Sequence, residues 1–493
     1  MSLIKEKMGM HKFLSQKKAK EVWEYFLEIC KIPRESKHEE KIVEYIKNFA
    51  VKHELEHKVD SAGNIIIWKK GTSGLSNLQL LCLQSHIDMV CEKNENIEHD
   101  FSTDPIKPRM EGDYIYATGT TLGADNGIGV ATQLALLATK DIPHCPIECI
   151  FTVDEETGLT GAFVLDGSTV RAKQMINLDN EEDHVICIGC AGGIDTNIEL
   201  EIKHIDIPQN FKELTLDFTG GLGGHSGAQI HEGLSNSIKL LNRFLYNLNK
   251  AFDIYIADFK GGNKRNIIPR DARASIFIAN DKVNDVKTML SEYNKTIKDE
   301  FAKVDDNIVI NINENNNNYD KVLDKESTTK LISFIYNLPH GVYKMSTVIK
   351  NLVETSSNLA IIKKDGDTIK ITQNQRSSRE SGLQDAVNFI NNLSSLVSSK
   401  SSQSGKYPGW LPNPDSVLLK KTSTIYKQLF KEEPAILAIH AGLECGIINT
   451  KVTGMDSISI GPTIEAPHTT KERVSISSVD RFWTLLLELL KAK

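Results

Sequence analysis

Apolar residues three and four apart predict amphipathic helices over residues 17–30 and 39–53. The β-rich run NIIIW at 64–68 and the nearly continuous apolar run LQLLCLQ at 78–84 predict strands, as do residues 147–153 and 173–178, whereas the Ala- and Leu-rich stretch 124–138 predicts a helix. Helix and strand alternate, the pattern of an α/β layer architecture. At Lys212 the pattern changes. Residues 212–279 read as strand, Gly-rich turn, helix and two strands, with a helix from Asp285, and residues 343–396 read as three strands and a helix. These segments predict two similar α+β halves of one inserted domain. The Asn-rich patch at 315–318 reads as a solvated loop, and the Ser-rich stretch 398–405, ending in Gly, as the return crossing. Helix and strand signals resume through Ile458 and end in a helix from Val479. The chain is expected to be α/β, with one discontinuous domain over 1–195 and 400–493 and an inserted α+β domain over 196–399.

Composition narrows the class of protein. With 493 residues, 40% of them apolar and 25% charged, the chain has ample core for two or more domains, which excludes disorder and a small disulfide scaffold. The net charge of −7, with no long run of one sign, supplies no basic face for a polyphosphate backbone, so nucleic acid is not an expected partner. No run of about 18 apolar residues exists to cross a membrane. The amino terminus alternates Lys with apolar residues and does not read as a secretory signal. Eight scattered cysteines predict a reducing, cytoplasmic compartment. Cys187 and Cys190 form a CxxC inside the apolar run VICIGC, which predicts buried thiols rather than a redox or zinc pair.

Ionisable residues gather where predicted strands end. His86 and Asp88 follow LLCLQ, Asp125 precedes the helix at 124–138, Glu155 and Glu156 follow IFTV, Asp179 follows MINL, and His468 lies beyond SISI. Singly each has an ordinary reading: a surface pair, a helix N-cap, a solvated turn, a loop histidine. Jointly they are the pattern of a site, because ligands of open α/β sheets collect at the carboxyl ends of the strands. Two imidazoles with several carboxylates suit Zn²⁺, Mn²⁺ or Co²⁺, and the lack of a Cys pair argues against a closed structural zinc site.

The segments LQSHIDMVCEK, TLGADNGIG, FTVDEETGLTGA, INLDNEE, GGLGGHSG, GGNKRNIIPR, QRSSRES, HAGLECGI and IGPTIEAPHTTKERV resemble the M20 family of co-catalytic metallopeptidases, and within it the branch of Xaa-His (aminoacyl-histidine) dipeptidases. The resemblance spans residues 83–474. It implies a mixed-sheet dinuclear metallopeptidase catalytic domain over 1–195 and 400–493 and a lid over 196–399. Two divalent ions, Zn²⁺ or else Mn²⁺ or Co²⁺, would share Asp125, with His86 and Asp179 completing one shell and Glu156 and His468 the other. A bridging carboxylate sets two ions about 3.5–4 Å apart, so that both hold one hydroxide. Glu155 takes the role of general base, or exchanges it with Glu156, and Asp88 orients His86.

The same resemblance makes His225 the lid histidine that stabilises the oxyanion, and Asn266 with Arg376, or Arg379 in its place, the holders of the substrate carboxylate. Gly442 brings backbone near the substrate, and the peptide between Asp125 and Asn126 is cis. The implied activity is hydrolysis of unblocked dipeptides, including Xaa-His and β-alanyl-histidine, by a monomer or homodimer with no membrane partner. Two alternatives stand beside it: another M20 activity, such as a tripeptidase or an N-acyl amino acid hydrolase, and a catalytically silent binding protein.

Overall fold

The computed structural model describes residues 9–314 and 319–492; the Asn-rich patch at 315–318 lies outside the described residues. The chain forms two compact units. One comprises Met1–Gly189, Pro412–Ala438 and Leu443–Lys493, the other Cys190–Leu411 and Ile439–Gly442.

The first unit is built on a mixed eight-stranded sheet in the order Glu56–Val59, Ile65–Lys69, Ile147–Thr152, Leu81–His86, Gln174–Asn177, Asp456–Ser459, Val185–Cys190, Ala435–Ile439. Its centre is parallel: Leu81–His86 lies between Ile147–Thr152 and Gln174–Asn177, and the latter pairs with Asp456–Ser459. Leu81–His86 and Ile147–Thr152 are buried throughout their length, which is why they carry near-continuous apolar runs instead of alternation. Helices cover the sheet with apolar stripes, including Trp23 and Phe26 of Lys20–Ile29 and Phe482 and Trp483 of Ile476–Lys491. The helix expected at 124–138 is Ala124–Ala138. Cys187 and Cys190 are both buried on Val185–Cys190.

Parallel strands deliver their carboxyl ends to the same edge. A small antiparallel sheet, in the order Ile464–Glu465, Arg473–Ser475, Tyr114–Ala117, Pro108–Glu111, completes that edge. Its register, Arg473 opposite Tyr116 and Val474 opposite Ile115, ties the segment around His468 to the one that runs into Ala124.

The second unit contains an antiparallel sheet in the order Val309–Asn313, Phe211–Thr219, Ala272–Ala279, Ile254–Gly261, Val353–Asp365, Thr368–Ser377, Gly192–Glu201, Lys400–Tyr407, with Gly341–Met345 beside Val353–Asp365. Its core joins Phe218, Phe244, Phe259 and Leu241 to apolar faces of Ser237–Ala251, Val283–Glu300 and Lys325–Asn337. Within the Ser-rich stretch expected to be the return crossing begins the edge strand Lys400–Tyr407, paired with Gly192–Glu201. Almost all of its side chains are exposed, so backbone hydrogen bonds hold it and no apolar alternation marks it in the sequence.

Candidate metal centre

Each of the five expected ligands, and the expected base Glu155, sits where an element of the first unit ends or begins. His86 closes Leu81–His86, and Asp125 is the second residue of Ala124–Ala138. Glu155 and Glu156 open the short helix Glu155–Gly158, Asp179 follows Gln174–Asn177, and His468 lies between Ile464–Glu465 and Arg473–Ser475. The fold brings all six together.

Asp125 divides its two oxygens: Oδ1 lies 3.0 Å from His86 Nε2, and Oδ2 lies 3.1 Å from His468 Nε2. Asp179 Oδ1 is 3.3 Å from His86 Nε2, and Glu156 Oε2 is 3.0 Å from His468 Nε2. Two donor sets, His86–Asp125–Asp179 and Asp125–Glu156–His468, therefore share one carboxylate, each with its ligand atoms within 4.8 Å of one another.

The electrostatics fit divalent cations. Burial together with neighbouring carboxylates raises Glu155, Glu156 and Asp179 above the ordinary carboxylate range and pushes Glu181 up to about 9. Asp125, despite burial, is held well below that range by hydrogen bonds to the two histidines. Asp125 and Glu156 in turn push His468 up to about 11, and Asp179, Asp125 and Asp88 raise His86 against the effect of its burial. Glu156 Oε1 is buried without a hydrogen-bond partner. Crowded carboxylates, a lone buried acceptor and two imidazoles make a donor set that divalent ions satisfy better than protons do.

The Asp88 carboxylate faces both the His86 ring and the turn that carries Glu155 and Glu156. Its Oδ1 lies 3.2 Å from His86 Nδ1, while Nε2 of the same ring faces Asp125 and Asp179. The same carboxylate accepts the backbone N–H of Glu155 at 3.1 Å and of Glu156 at 3.2 Å, and the Ser36 hydroxyl at 2.8 Å. Asp154, at φ +48°, and His468, at φ +59°, occupy the left-handed region that favours glycine, at the two turns that carry Glu155, Glu156 and His468. The Asp125–Asn126 peptide is cis, and the Asn126 amide donates to Asp179 Oδ1 and to the Leu178 carbonyl.

Glu444 is not among the expected site residues. This buried carboxylate accepts from Gln84 Nε2 at 2.5 Å and Thr152 Oγ1 at 2.7 Å, and burial pushes it up to about 7. A single acid between Leu443 and Cys445 was the only signal for it.

The remaining expected residues lie in the second unit. His225 Nδ1 accepts the Ala228 N–H at 3.0 Å, which leaves the ring proton on Nε2 in the neutral imidazole. Gly224 and His225 pair with Ile268 and Ile267, and the Asn266 carbonyl accepts the Ser226 N–H at 2.9 Å. Arg376, only 5% exposed, donates to Asn374 Oδ1 at 3.1 Å, to the Tyr407 hydroxyl at 2.9 Å and to Ser226 Oγ at 3.4 Å, all uncharged partners. Arg379 instead pairs with Glu354 at 3.2 Å. The Tyr407 ring packs so closely on Gly442 that a Cβ there would come within 2.8 Å of it. Tyr407 ends an exposed edge strand, so no pattern in the sequence announced it.

Residues 82–492 match peptidase family M20/M25/M40. The chain belongs to this family, and with it to the metal-dependent hydrolases. It is 41% identical to the cytosol non-specific dipeptidase of Escherichia coli over 97% of this chain and 98% of that protein. It superposes on the aminoacylhistidine dipeptidase of Vibrio alginolyticus with a TM-score of 0.88 and 37% identity, covering 97% of each chain. A tripeptidase from Staphylococcus aureus, 18% identical with a TM-score of 0.55 over 96% of this chain and 97% of that one, shares the fold. Among the described residues no helix is long and apolar enough to cross a membrane.

Proposed function

We propose that the chain is a cytoplasmic dipeptidase that hydrolyses unblocked dipeptides, Xaa-His and β-alanyl-histidine among them, with two divalent ions held by His86, Asp125, Asp179, Glu156 and His468. The observation that carries this reading is the division of the Asp125 carboxylate between two histidine-containing donor sets. Zn²⁺, or Mn²⁺ or Co²⁺, bound there supplies Lewis-acid polarisation of the peptide carbonyl and a lowered pKa for water. The names of the Escherichia coli and Vibrio alginolyticus relatives support dipeptides as the substrate class.

The side chains then divide the work. Glu155 takes a proton from the attacking water on its carboxylate and returns it to the leaving amine as the C–N bond breaks. Asp88 holds His86 in the tautomer that presents the Nε2 lone pair. His225, its Nδ1 engaged by Ala228, offers Nε2–H to the carbonyl oxygen as negative charge develops on it. Arg376 and Asn266 hold the carboxylate of the dipeptide, and Gly442 offers backbone to it. Arg376 suits this role better than Arg379 because its partners are neutral, whereas Arg379 already pairs with Glu354.

The reading is tested by a panel of free dipeptides, N-blocked dipeptides and tripeptides assayed with each of the three metals. Free dipeptides are expected to be cleaved fastest; faster cleavage of blocked substrates or tripeptides would assign another M20 activity. Arg376→Lys keeps the charge but loses the planar fork, so KM for a dipeptide is expected to rise at least about tenfold with kcat little changed, as steady-state kinetics would read.

A further inference from the structure

We infer that Arg34 and Glu472 are positioning residues that clamp the turn at 122–125 and so aim the Asp125 carboxylate at both donor sets, an inference that rests on the bridging role proposed for Asp125. Neither residue is among the expected ligands. Glu472, 2% exposed, accepts hydrogen bonds from four consecutive backbone amides: Leu122 and Gly123 donate to Oε2 at 2.7 and 2.9 Å, and Ala124 and Asp125 donate to Oε1 at 2.7 and 3.3 Å. These amides, just before and at the start of Ala124–Ala138, thus find their acceptor about 350 residues away in sequence.

Arg34, also 2% exposed, holds the carbonyl side of the same turn. Its Nη2 donates to the Gly123 carbonyl, and its Nη1 donates to the carbonyls of Ile87 at 3.1 Å and Asp88 at 2.8 Å. Each buried charge is met by backbone dipoles of the opposite sense: amides for the anion, carbonyls for the cation. The glycines of TLGADNG leave room for this arrangement. Gly123, at φ +67°, could not carry a Cβ without striking the guanidinium, and a Cβ at Gly127 would come within 2.8 Å of Nη2.

The consequence is a cross-link between three segments. Arg34 joins the strand end that carries His86 to the turn that carries Asp125. Glu472 joins that turn to the segment that carries His468, four residues earlier. Side chains held at their backbones from both sides keep the two Asp125 oxygens directed at two places at once, an arrangement a loose turn would lose.

The test titrates Zn²⁺ into the metal-free full-length chain against a chromophoric chelator, and follows thermal unfolding with and without Zn²⁺, for Glu472→Gln, Arg34→Lys and Asp125→Ala. Glutamine keeps the size of Glu472 but has one acceptor oxygen for four amides; lysine keeps the charge of Arg34 but cannot serve both sets of carbonyls. Both variants are expected to bind Zn²⁺ about 10–100-fold more weakly, to show a smaller Zn²⁺-induced rise in Tm, and to lose more in kcat than in KM. Should Glu472→Gln fail to fold, Arg34→Lys decides the question. Wild-type zinc affinity in a folded variant, or a Tm lowered equally with and without Zn²⁺, would overturn the clamp. Weakened binding in Asp125→Ala alone would defeat the clamp and leave the bridge standing, whereas unchanged binding in Asp125→Ala would defeat the bridge itself.

Discussion

Asp125→Ala is expected to strip the chain of both metal ions together and to reduce dipeptide hydrolysis to less than about one hundredth of wild type, the largest effect of any single donor replacement. Asp179 and His86 belong to one donor set and Glu156 and His468 to the other, so loss of any of these leaves the second set with its three donors. Asp125 belongs to both. Its removal also takes away the carboxylate that faces each imidazole at about 3 Å, leaving His86 and His468 without their shared counter-charge. Elemental analysis after desalting measures the outcome: two ions per wild-type chain, one per His468→Ala chain, and fewer than one per Asp125→Ala chain. Two ions retained by Asp125→Ala would show that the carboxylate does not bridge.

Glu155→Gln is expected to keep both ions and lose at least about 10²-fold in kcat, the scale of general acid–base catalysis. Adjacent glutamates here have different surroundings. Glu156 Oε2 lies 3.0 Å from His468 Nε2, as a donor of that set should. Glu155 is raised by burial and by Asp179, Glu156 and Glu444, which gives its carboxylate a greater hold on a proton than an exposed glutamate has. Glutamine preserves the shape of Glu155 and removes only its capacity to take that proton. If Glu155→Gln loses metal while Glu156→Gln retains it, the two roles are exchanged.

How far the candidate site could be read from sequence depended on where its residues stand. Candidate ligands that follow apolar strands were visible because a buried strand writes a near-continuous hydrophobic run, and the residue after it marks the sheet's edge. The buried charged residues around them left no such trace. Glu444 looks like one acid in a short helix, Arg34 like one base in a loop, and Glu472 like part of a charged KER tripeptide. Their function lies in what they touch, and those partners are backbone groups and neutral side chains far along the chain. Arg376 and Arg379 stand three residues apart in the sequence as alternative carboxylate holders; packing surrounds the first with neutral groups and pairs the second with Glu354.

By itself the sequence determined the alternation of helix and strand, the order of chemistry-bearing residues at strand ends, and a donor set of imidazole and carboxylate that suits divalent metals. Those properties are local: burial of each element sets its hydrophobic period, and side-chain chemistry does not depend on distant neighbours. Tertiary structure alone decided that Asp125 turns one oxygen to His86 and the other to His468, 343 residues away, and that the Ser-rich stretch pairs as an edge strand. It did so because parallel strands bring their carboxyl ends to one edge and the antiparallel pairing of Arg473–Ser475 with Tyr114–Ala117 draws the His468 segment against it. Such meetings depend on register and strand order, which follow from the packing of the whole unit rather than from the period of any one stretch.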